Sequence, residues 1–147
     1  MPLSERRYAR RSWSLISDLR TQLRTEHGVR FALLFGSAAR GTDTPRSDID
    51  VLVGLRDGSL ERVVELGAKL TALNGRTVDL VRLEDAWAEP SFLADAVADG
   101  RVLVDRDAQW PALRSAEAEL RHQDRSRQAA RTQAALAGID RLLESRR

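Results

Sequence analysis

Two apolar runs, Phe31-Ala32-Leu33-Leu34-Phe35 and Ile49 to Leu55, stand only thirteen residues apart. Each is short enough to be a buried strand rather than a helix. A parallel pair would need a crossover of a dozen residues or more, usually a complete helix. The stretch between them is broken up by Gly, Thr, Asp, Pro and Ser, and residues 38–47 read as a short helical turn plus a loop. The spacing therefore favours antiparallel neighbours, without fixing the pairing.

The remaining elements follow from periodicity. Trp13, Ile16, Leu19 and Leu23 fall on or near one stripe and predict a helix over 12–26, ended by His27-Gly28. Leu60, Val63, Val64, Gly67, Leu70 and Leu73 predict a second over 59–73, with Asn74-Gly75 as its turn or C-cap. Thr77 to Arg82 reads as a third strand. Pro90 starts a helix with Phe92, Leu93, Ala96 and Val97 on its apolar face and Gly100 as its stop. Val102-Leu103-Val104 is a small fourth strand. From Gln109 to about Leu143 the pattern is helical again; a helix this long needs a second packing surface or a break, and the polar middle, Arg121 to Arg131, is the candidate place for a break, around Ser126. The order predicts an α/β (α+β) fold, a small mixed sheet flanked by helices. It is read as one domain over 1–147, with a core over 12–105 and a C-terminal helical extension over 109–143. Residues 1–10 and the last few are expected to fray.

Composition narrows the class. At 147 residues the chain suits a single modest core, and its 42% apolar content is in the soluble globular range. No apolar run approaches membrane-spanning length. The polar start, Met1 to Arg7, lacks the apolar segment of a secretory signal. There is no cysteine, which excludes disulfides and thiolate metal sites and is compatible with a cytoplasmic chain. Charge is segregated: residues 1–28 carry +3, 29–109 carry −4 and 110–147 carry +3. An acidic centre can hold metal ions. Basic flanks suit nucleic acid or an acidic protein, and equally a solvated helix face.

The chemistry concentrates between Phe35 and Val51. Asp48 and Asp50 lie two apart where a strand begins, so strand periodicity puts both on one face. Such a pair is mutually repulsive, and a divalent cation with a taste for hard oxygen ligands removes the conflict. Asp79 sits within Val78-Asp79-Leu80-Val81, where a buried carboxylate needs a partner or a metal. Before them, Gly36 permits close backbone approach, and a turn opening a short helix offers amides and the Ser37 hydroxyl to phosphate. Arg40 is placed to reach a triphosphate, and Gly41 relieves crowding behind it. This is not a P-loop, because its Gly-rich run and Lys are missing. A lone Gly-Ser is usually a turn, and a lone Asp-x-Asp usually a loop feature. In this order, between apolar strands, they are far more specific.

Gly36-Ser37, Ala39-Arg40-Gly41 and Ser47-Asp48-Ile49-Asp50 together resemble the signature of the polymerase-beta-like nucleotidyltransferase superfamily, most closely its minimal (MNT) branch. The likeness spans roughly residues 12–105. It implies transfer of a nucleoside monophosphate, with ATP as donor and release of pyrophosphate. Asp48, Asp50 and Asp79 would be the catalytic and metal-binding residues, holding two Mg2+ ions, and Asp79 would take the acceptor's proton. Two such ions about 3.5–4 Å apart can stabilise attacking and leaving oxygens together. Gly36, Ser37, Arg40 and Ser47 would bind the nucleotide. Neither His27 nor His122 stands out as a base.

Small members of this branch are similar to antitoxins paired with HEPN ribonucleases, which implies adenylylation of a tyrosine on a small helical HEPN toxin. Two patches are candidates for meeting that partner, Arg121 to Arg131 and the surface around Trp87 and Phe92. The acceptor could instead be a small hydroxylated molecule such as an aminoglycoside, or an RNA end. No interleaving of aromatic and basic residues supports the RNA reading. A further alternative is an antitoxin that neutralises its partner by binding alone.

Overall fold

The computed structural model describes residues 3–146, with side chains from residue 13 onward. Its elements in chain order are α1 (Leu3–Arg24), β1 (Val29–Phe35), α2 (Gly36–Arg40), β2 (Ile49–Leu55), α3 (Leu60–Asn74), β3 (Val78–Arg82), α4 (Leu83–Trp87), α5 (Pro90–Asp99), β4 (Arg101–Asp105) and α6 (Gln109–Glu144). The four strands form one sheet in the order β3-β2-β1-β4. β1 is antiparallel to both β2 and β4, while β2 and β3 run parallel, joined over α3. The short first connection does make an antiparallel pair, and the sheet is mixed.

Alternation along the strands feeds two cores. On one face Ala32, Leu34, Val51 and Val53 pack with Ile16, Leu19 and Leu23 of α1 and Leu66 and Leu70 of α3. On the other, Phe31, Leu33, Phe35 and Leu52 pack with Leu83, Leu93, Val97, Leu113 and Leu120 from α4, α5 and α6. Burying each of these larger apolar side chains stabilises the fold by about 1.5–3 kcal/mol before entropy is counted. A bulge in β4 leaves Leu103 without a register partner between Val102 and Val104. That turns both Leu103 and Val104 toward the α1 side.

Several boundaries differ from expectation. α1 is helical from Leu3, ahead of the apolar stripe and through residues expected to fray, and Trp13 is exposed rather than part of the core. The buried face of α3 is Val63, Leu66 and Leu70, while Leu60, Val64 and Leu73 face solvent. α6 is one unbroken helix of 36 residues. Asp105 starts it by accepting the amides of Gln109 (2.8 Å) and Trp110 (3.0 Å). Its polar middle does not break because Arg, Gln and Ala are good helix formers. Among the described residues, no helix is long and apolar enough to cross a membrane.

Candidate active site

Antiparallel pairing brings the end of β1 to the start of β2, with Phe35 opposite Asp50. Parallel pairing sets Asp50 opposite Asp79 on β3. Register partners on adjacent strands share a face of the sheet, so the two carboxylates stand side by side. Asp48 lies one residue before β2, at the end of the loop from Gly41. It lies near enough to Asp79 to raise that carboxyl's pKa. The structure thus gathers Asp48, Asp50 and Asp79 at one corner of the sheet. Asp79 is exposed, because β3 is an edge strand, and is not the buried carboxylate that its apolar neighbours suggested.

The charges feel one another. Partial burial pushes the Asp50 carboxyl above its ordinary range, Asp79 and Asp48 push it further, and Arg40 pulls it back. Asp79 is raised as well, by desolvation first and then by Asp48. Among the described residues no three acidic or histidine side chains are drawn in closely enough to hold a metal ion as they stand. The donor set still suits a hard divalent cation: oxygen ligands only, in a like-charged group whose repulsion such an ion would relieve. The guanidinium of Arg40, which acts on Asp50, is turned to Asp99 at 3.1 Å.

Gly36 opens α2 at the same corner, with φ +73°. A Cβ there would come within 2.5 Å of Asp50 Oδ2, so glycine is required by both conformation and space. No side chain caps α2, and its first-turn amides have no partner within the helix. Ser37 stands in that turn, partly exposed. Ala38 and Ala39 anchor the turn in the core, Gly41 ends it at φ 81°, and Arg101 Nε donates to the Ala39 carbonyl at 2.9 Å.

Two expected nucleotide ligands are otherwise engaged. Arg40 pairs with Asp99, as noted. The Ser47 hydroxyl accepts from the Thr44 amide at 2.9 Å and lies 3.1 Å from the Thr44 hydroxyl, so it closes the loop. Residues that the sequence reading passed over secure that loop from outside. Arg76 donates to the Ser47 carbonyl through Nε (3.1 Å) and Nη2 (2.9 Å) and to Asp43 Oδ2 (2.9 Å). The Ile49 amide donates to the Thr77 carbonyl at 2.8 Å. A lone Arg after a turn carries no periodic or motif signal, and only the fold shows what it holds.

A cleft of about 290 Å³ opens elsewhere, lined among others by Arg30, Val53, Arg82, Trp87 and Asp107. It lies at the other end of β2 from the aspartates, and both arginines are neutralised, by Asp107 and Asp85. It has no part in the chemistry of the carboxylate corner.

The family described as polymerase beta, nucleotidyltransferase matches residues 17–109, more than half of the chain. The protein adenylyltransferase MntA of Thermococcus cleftensis is 41% identical over 69 residues, covering 46% of this chain and 70% of that protein. A chain from the crystal structure of a toxin-antitoxin with AMP-PNP superposes with TM-score 0.64 at 25% identity, over 84% of this chain and 97% of that one. A structure of tri-AMPylated Shewanella oneidensis HEPN toxin in complex with MNT antitoxin gives TM-score 0.61 at 22% identity, over 87% and 98%, a likeness of fold.

Proposed function

Because the chain belongs to the polymerase beta nucleotidyltransferase family, we propose that it moves AMP from ATP to a hydroxyl of a partner protein, a tyrosine of a HEPN toxin. The observation that carries the reading is the register of Asp50 against Asp79 beside the Gly36-Ser37 turn. The likeness to MntA and to the complex holding AMP-PNP supports ATP as donor and a toxin as partner. The place of work is the cytoplasm, where ATP and a ribonuclease toxin would meet.

In this scheme the first-turn amides of α2 and the Ser37 hydroxyl grip the outer phosphates of ATP. Asp48 and Asp50 would hold magnesium, and Asp79 would complete the set. Bound magnesium would offset phosphate charge and make the α-phosphorus more open to attack. The acceptor oxygen attacks the α-phosphorus, the bond to the β-phosphate oxygen breaks, and pyrophosphate leaves with the electron pair. Asp79 takes the hydroxyl proton. It is exposed and is the register partner of Asp50, so an incoming side chain can reach it. Arg76 and Ser47 act as positioning residues by fixing the loop that presents Asp48. Arg40 restrains α2 through Asp99 and would bind phosphate only on leaving that pair.

Intact-mass analysis of the HEPN partner incubated with this chain, ATP and magnesium tests the reading. One or more added adenylyl groups on tyrosine are expected. A partner of unchanged mass, in a complex that still forms, would leave only neutralisation by binding.

A further inference from the structure

We infer that the half of α6 beyond Leu120 is the docking arm for the protein that supplies the acceptor hydroxyl, and that it takes a surface acidic near the site and apolar farther out. This rests on the protein-adenylyltransferase reading.

Leu113 and Leu120 are the buried residues of α6. From Arg121 to Glu144 no described residue is buried. At 1.5 Å per residue these 24 residues extend about 36 Å, touching α5 only at their start, through Arg121, Asp124 and Arg125, among the described contacts. A helix of that length is marginal in water without a packed face. The arm is also patterned. Residues 121–131 carry four arginines against Asp124, a net +3. Farther out, Leu136, Ile139, Leu142 and Leu143 are each more than half exposed. Leu136, Ile139 and Leu143 follow the three-then-four spacing of a single helix face. An exposed apolar group bordered by charge marks an interaction site.

Charge and length choose the occupant. A second copy in parallel would set arginine against arginine. In antiparallel it would be held by an apolar seam of under two heptads, shorter than a self-sustaining coiled coil. An acidic partner meets neither obstacle, and it would be steered to the arm by its charge.

The arm is continuous with the site. Arg121 pairs with Asp95 of α5 at 3.2 Å, and Arg121, Asp124 and Arg125 line a cleft with Ser91 at the start of α5. The next residue, Phe92, meets Phe35 edge to face at 5.4 Å. Phe35 is the register partner of Asp50. A protein lying along the arm therefore ends at the carboxylate corner.

Two double variants test the arm, Arg127→Glu with Arg131→Glu and Leu136→Asp with Ile139→Asp. All four residues are exposed, so neither pair removes core packing. Three quantities are measured with the HEPN partner: complex formation by sedimentation, KM for the partner in adenylyl transfer, and ATP affinity. Each variant is expected to weaken the complex and raise that KM by about tenfold or more, the loss of one interface anchor, with ATP affinity unchanged. Complex strength and KM equal to wild type would overturn the inference. So would a wild-type dimer that the Leu136→Asp, Ile139→Asp variant dissociates with KM unchanged. A complex that forms and responds to the variants but transfers nothing would support the arm and refute the adenylyltransferase reading.

Discussion

Asp50 and Asp79 both hold their protons more tightly in the folded chain than an ordinary carboxylate does. A raised folded-state pKa in an acid contributes stability that is complete below the usual carboxylate range and is lost as pH rises through the raised values. Without divalent cations the protein should therefore lose part of its thermal stability as pH climbs from the usual carboxylate range through the raised values. Asp50→Asn removes a charge from that corner, so it should melt higher than wild type at neutral pH while losing nearly all transfer activity. Added magnesium should raise the melting temperature of wild type and do much less for the variant. Equal melting temperatures at neutral pH, or an equal response to magnesium, would show that the carboxylates are not in conflict. The aspartates were legible in the sequence because charges at the head of an apolar strand need a reason. The exposure of Asp79 was not, because its apolar neighbours read alike on an edge strand and a central one. Arg40 and Ser47 were legible as motif members, but their present partners, Asp99 and Thr44, lie where only the fold puts them.

Among the elements, the loop over 41–48 has no regular structure of its own, yet it must present Asp48 beside Asp79. Arg76, itself partly buried, supplies the fixing through three hydrogen bonds. Arg76→Ala should lower kcat by about tenfold to a hundredfold, as displaced catalytic groups do. ATP-independent association with the partner should be unaffected. A wild-type kcat in that variant would mean the loop holds its shape unaided. The spacing alone favoured an antiparallel pairing of β1 with β2, and the fold fixes it. α4 was missed because five residues give no periodicity, only Leu83 and Ala86 buried three apart. The stripe of α3 was misread because Val63 and Val64 are both apolar, and only packing decides which one faces the sheet. Of the two alternatives for so long a helix, a break or a second packing surface, the break is absent, because helix propensity outweighs polarity in the middle of α6.

Over the whole molecule, the sheet's two faces have different duties. α1 and α3 close one side as plain core. α4, α5 and α6 cover the side shared by Asp50, Phe35 and Leu52, and leave the corner open where β1, α2 and β2 meet. The charge segregation seen in the sequence follows that division in part, with acids in the middle of the chain and arginines along the exposed half of α6. The acidic centre is legible through its motif and the C-terminal helical extension through its periodicity, but not that α6 packs on the body only as far as Leu120. At this scale the proposed function is transfer of the α-phosphoryl group with its nucleoside, driven from the aspartate corner. Incubation of the partner protein with magnesium and ATP labelled at either the α- or the γ-phosphorus tests this most directly. Label should pass to the partner from α-labelled ATP alone, and should vanish with Asp48→Asn. Label arriving from the γ-position, or surviving intact in that variant, would contradict it.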